Sequence, residues 1–106
     1  MKIRALIVDD EPHMLRVTEL SLKKGGYDLL AARNGREAID VAERELPDLI
    51  VMDVTMPELD GLAALKLLKA RPATAGIPVI MLTSRGQSLA REAAESSGAA
   101  LYVTKP

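Results

Sequence analysis

The residues able to do chemistry in this chain stand where short apolar runs end. Asp9 and Asp10 follow Ala5-Leu6-Ile7-Val8, and Asp53 follows Leu49-Ile50-Val51-Met52. Thr83 follows Val79-Ile80-Met81-Leu82, and Lys105 follows Leu101-Tyr102-Val103-Thr104. If the first two runs are neighbouring parallel strands, three carboxylates converge at the carboxyl edge of one sheet, where open α/β sheets place their ligand sites. Three like charges that close require a cation, and an all-oxygen donor set suits a hard ion such as Mg²⁺, with Mn²⁺ equally served. A hydroxyl and an ammonium at the same edge would complete a set suited to one phosphoryl group.

The intervening sequence must supply the elements that position these groups. Short β-branched runs alternate with longer amphipathic ones, the pattern of βα units. Strand 1 is expected over Ile3 to Val8. A helix follows from Pro12, a residue tolerated in a first turn, with Leu15, Val17, Thr18, Leu20 and Leu22 on its apolar side, until Gly25-Gly26 stops it. Strand 2 is expected over Tyr27 to Ala32. Asn34-Gly35 starts helix 2, whose inner face is read as Ala38, Ile39, Ala42 and Leu46, and Pro47 closes it.

Strand 3, Asp48 to Met52, is apolar almost throughout, as befits a central strand covered on both faces. Helix 3 runs from about Leu62 to Lys69 with Leu65 and Leu68 inward. Pro78 opens strand 4, a polar and alanine-rich stretch from Ser88 to Ser96 reads as helix 4, and strand 5 spans Ala100 to Thr104. Five strands with only four helices predict a receding cover on one sheet face, and a domain over residues 1–106 truncated before its last helix.

Composition narrows the function. A chain of 106 residues with 48% hydrophobic and 27% charged side chains is one globular domain. The formal net charge of -1 gives no field to attract nucleic acid or anionic lipid, so neither a direct nucleic-acid role nor a membrane role is expected. The absence of cysteine excludes thiol catalysis and Cys-ligated metals. No GxGxxG or GxxxxGK stretch follows strand 1, so a dinucleotide or ATP is not implied. The apolar stretch after the basic start is interrupted by Asp9-Asp10-Glu11, unlike a signal-peptide core, and a cytoplasmic location is expected. His13, the single histidine, reads as an exposed helix residue.

Four stretches in order carry a family resemblance: Ile7-Val8-Asp9-Asp10-Glu11, Asp48 through Gly61 with Met56-Pro57 and Asp60-Gly61, Pro78 through Ser84, and Tyr102-Val103-Thr104-Lys105-Pro106. Over its whole length the chain resembles the receiver domain of bacterial response regulators in two-component systems, and is similar to the single-domain chemotaxis regulators. The resemblance implies a flavodoxin-like, doubly wound sheet of five parallel strands in the order 2-1-3-4-5. It implies that Asp53 is the phosphoacceptor, becoming 4-aspartylphosphate. Asp10, Asp53 and the backbone carbonyl of Thr55 would ligate Mg²⁺ directly, with Asp9 acting largely through water.

By the same resemblance Thr83 bonds a phosphoryl oxygen, Lys105 pairs first with Asp53 and then with the phosphoryl group, and Lys105-Pro106 is a cis bond. Tyr102 would turn inward as Thr83 moves, changing the face formed by helix 4 and strand 5. The expected phosphodonor is a sensor histidine kinase or a histidine phosphotransfer protein, and the receiver itself is not a turnover enzyme beyond its own phosphorylation and slow dephosphorylation. An output domain or target protein would read the signal, and a homodimer would form through helix 4 and strand 5 or through the uncovered sheet face. The alternative is a phosphorylation-independent interaction module of the same fold.

Overall fold

The computed structural model describes residues 3–53, 61–83 and 98–104. Within them the chain alternates β1 (Arg4–Val8), α1 (Pro12–Lys24), β2 (Asp28–Ala32), α2 (Gly35–Glu45), β3 (Leu49–Asp53), α3 (Gly61–Ala70), β4 (Val79–Thr83) and β5 (Leu101–Thr104). The strands form one parallel sheet in the order β2-β1-β3-β4-β5, the expected flavodoxin-like arrangement. The helix expected from Ser88 to Ser96 lies outside the described residues. Among those described, no helix is long and apolar enough to cross a membrane.

Successive strand residues point to opposite faces. Leu6, Val8, Ile50, Met52, Val79 and Met81 form one core with Ala38, Ile39 and Ala42 of α2 and Ala64, Leu65 and Leu68 of α3. Ala5, Ile7 and Val51, the alternate positions, are buried with Leu15 of α1. On that second face Leu49, Ile80 and Leu82 are only half-buried, whereas Ile50, Val79 and Met81 on the first face are fully buried. Among the described residues the second face is therefore the less fully covered of the two. Cutting Leu65 or Leu68 back to alanine would remove a filled core position, at a typical cost of about 2–5 kcal/mol.

Helix ends follow local chemistry. Asn34 is the N-cap of α2, its side chain accepting a hydrogen bond from the Glu37 backbone N–H at 2.8 Å. Glu37 in turn accepts from the Arg33 N–H at 3.4 Å, close to the reciprocal capping-box arrangement. Two expectations of inward-facing residues fail. Leu20 is 56% exposed, on a helix whose buried residue is Leu15. Leu46 does not line α2 but ends it, as a C-cap in the left-handed region at φ 47, and is 55% exposed. A helix-periodic pattern cannot reveal where the helix stops being a helix.

Candidate functional site

The parallel pairing of β1 with β3 aligns Ala5 with Leu49 and Val8 with Met52, so Asp9 leaves β1 level with Asp53 at the end of β3. Asp10 follows. Carboxylate oxygens of Asp9, Asp10 and Asp53 all lie within 4.8 Å of one another. Asp9 and Asp53 are almost sealed, at 2% and 5% exposure, while Asp10 is open to solvent.

Such a cluster is costly by itself. At that separation the Asp9–Asp53 repulsion alone is roughly 3 kcal/mol for an effective dielectric near 20. Burial of ionised carboxylates adds to it. The donors are all oxygens, one acid is reachable from solvent, and the chain has no cysteine. This is the chemistry of a hard divalent cation that keeps part of its water shell, so the residues present fit Mg²⁺. The N-cap of α1 is Glu11, without a side-chain cap, and the first turn of the helix carries no acid. Asp9 instead accepts the Glu11 backbone N–H at 3.0 Å, just ahead of Pro12, and its own N–H donates to Ala32 O at 3.1 Å. One acid of the cluster thus also sets the course of the chain between β1 and α1.

Thr83 ends β4, one step beyond Leu82, which is aligned with Asp53, and it pairs with Thr104 of β5. The strand ends that carry Asp53 and Thr83 therefore share one sheet edge. Tyr102 lies in β5 opposite Met81. Thr55, Lys105 and the Lys105-Pro106 bond lie outside the described residues. His13 is exposed, as expected.

Sequence reasoning overlooked the opposite pole. Lys69, in the last turn of α3, donates to Ala75 O at 3.0 Å and Ile77 O at 2.8 Å, and buried Thr74 donates through Oγ1 to Leu68 O at 2.7 Å. A basic residue in a final helical turn was the available signal.

Residues 5–106 match the model of the response regulator receiver domain. The chain belongs to that family. It is 38% identical to the alkaline phosphatase synthesis transcriptional regulatory protein PhoP of Bacillus subtilis, with 100% of this chain and 43% of that protein covered. It is also 38% identical to protein PilH of Pseudomonas aeruginosa, with 97% of this chain and 85% of that protein covered. It therefore spans less than half of the Bacillus regulator but most of PilH. Among solved structures it resembles the receiver domain of a Pseudomonas aeruginosa sensor histidine kinase, with a magnesium ion coordinated in the active site cleft. That likeness has a TM-score of 0.91 at 32% identity, covering 100% of this chain and 87% of that one. Architecture and acidic cluster together are those of a phosphoaccepting signalling domain.

Proposed function

We propose that this domain takes a phosphoryl group from a phosphohistidine onto Asp53 and signals through the resulting change of charge. The observation that carries the reading is the convergence of Asp9, Asp10 and Asp53 within 4.8 Å at one sheet edge. A module that only binds has no use for a like-charged, largely buried cluster. In the proposed step an Asp53 oxygen attacks phosphorus in line. The new O–P bond forms as the P–N bond to the donor imidazole breaks, and the electron pair leaves with that nitrogen, which takes up a proton.

Asp10, Asp53 and the Thr55 carbonyl would hold Mg²⁺, with Asp9 contributing through water, and the ion would supply charge neutralisation at the phosphoryl oxygens. Lys105 would pair with those oxygens as a point charge, and the Thr83 hydroxyl would bond one of them once transfer is complete. Movement of Thr83 and Tyr102 would then alter the surface around β5. Donors of the matching class are sensor histidine kinases and histidine phosphotransfer proteins, and the expected setting is the cytoplasm. An output domain or target protein would read the phosphorylated state, with a homodimer through the β5 surface as one form of output.

Incubation with Mg²⁺ and acetyl phosphate, followed by mass spectrometry, tests the reading: a single phosphoryl adduct at Asp53 is expected. A folded domain that never acquires it would favour the phosphorylation-independent interaction module instead.

A further inference from the structure

We infer that Lys69 is a positioning residue for the β5 side of the site: its side chain fixes where β5 begins, and thereby the register that delivers Lys105. The inference rests on the reading of Lys105 given above. Three observations meet at this one side chain. Its ammonium is held by Ala75 O and Ile77 O, the carbonyls of the segment that enters β4. Its stem underlies Gly98, where a Cβ would sit 3.4 Å from Lys69 Cγ and 3.6 Å from Cδ and Cε. Gly98 has φ 100, a conformation that a side chain strains, so the chain turns into β5 directly on top of the lysine.

The next two residues complete the anchor. Ala99 packs against the main core, and the Ala100 N–H donates to Val79 O at 2.9 Å. Lys69 therefore ties the end of α3 to the entry of β4 and the entry of β5 together.

The register matters because β5 is short, Leu101–Thr104, and among the described residues pairs in the sheet with β4 alone. A slip of one residue moves the strand by about 3.3 Å and turns every side chain to the other face. Lys105 is the residue after Thr104, which pairs with Thr83. On the reading of Lys105 proposed above, a slip would shift that lysine relative to Asp53 and Thr83. Few ladder bonds hold so short a strand, so a fixed starting point is what sets its register. Charge-assisted bonds from an ammonium to two carbonyls are suited to holding that point.

The test compares Lys69→Met, which keeps an unbranched stem and loses the ammonium, with Lys105→Ala and the double variant. Acetyl phosphate labelling of Asp53, Mg²⁺ affinity and hydrogen exchange of the Ala100 amide are measured on each. Lys69→Met is expected to slow labelling roughly threefold to tenfold, as small misplacements of a positioned group do. It should leave Mg²⁺ affinity unchanged, accelerate Ala100 exchange, and add no further loss in the Lys105→Ala background. Wild-type labelling and exchange in Lys69→Met would overturn the inference. So would an equal slowing in the Lys105→Ala background, which marks general destabilisation. If Lys105→Ala alone labels at the wild-type rate, the reading of Lys105 fails instead, and Ala100 exchange still decides whether Lys69 sets the start of β5. Should Lys69→Met not fold, Lys69→Gln carries the same comparison.

Discussion

Asp9 and Asp53, the residues that follow Val8 and Met52 on adjacent parallel strands, bring carboxylate oxygens within 4.8 Å of each other while both remain more than nine-tenths buried. Electrostatics would drive this pair apart. Its retention at the carboxyl edge of the sheet is what a cation-assisted phosphoryl site requires.

Asp53→Asn should abolish the acetyl phosphate adduct, whereas Asp48→Asn should preserve it. Asp48 Oδ2 accepts the Arg4 backbone N–H at 2.9 Å, a bond an asparagine oxygen can still make, so the control variant stays folded. Intact-mass spectrometry after labelling distinguishes them. An adduct surviving in Asp53→Asn would move the acceptor elsewhere.

Mg²⁺ binding should suffer more from Asp10→Asn than from Asp9→Asn. Asp9 already commits an oxygen to the Glu11 N–H and would act largely through water, and a water can re-solvate the ion where a direct ligand cannot be replaced. Titration followed by NMR shifts gives the two affinities. Equal or reversed losses would refute the division of roles.

Saturating Mg²⁺ should stabilise the fold, because an ion that binds the assembled carboxylates and not the unfolded chain shifts the equilibrium by mass action. At a concentration about 100 times the dissociation constant the gain is about 2.7 kcal/mol. Denaturant unfolding with and without the ion measures it. The gain should largely vanish in Asp10→Asn.

Two helix-end substitutions should act with opposite sign. Asn34→Ala removes the bond to the Glu37 N–H and should cost about 1 kcal/mol. Leu46→Gly relieves a left-handed conformation worth roughly 1–2 kcal/mol, against about 0.5–1 kcal/mol of extra unfolded-chain entropy, so a small net gain is expected. Shifts in the urea midpoint at constant slope would confirm both.

Much of the molecule is legible along the chain. The apolar runs before Asp9, Asp53 and Thr83, the stop at Gly25-Gly26 and the turn into α2 at Asn34-Gly35 all act within a few residues, through propensity, periodicity and backbone chemistry that tertiary context does not reverse here. The carboxylates could be nominated because each ends a run. Their meeting depended on β1 and β3 being neighbours in one register, which is a property of pairing between distant segments. The exposure of Leu20 and Leu46 was likewise invisible, since a helical repeat shows which residues share a side and neither what covers that side nor where the helix ends. Lys69 and Gly98 are brought together only by the packing of α3 beside the entry to β5. Local sequence specifies elements and their ends, while register and cover arise from which surfaces are buried together.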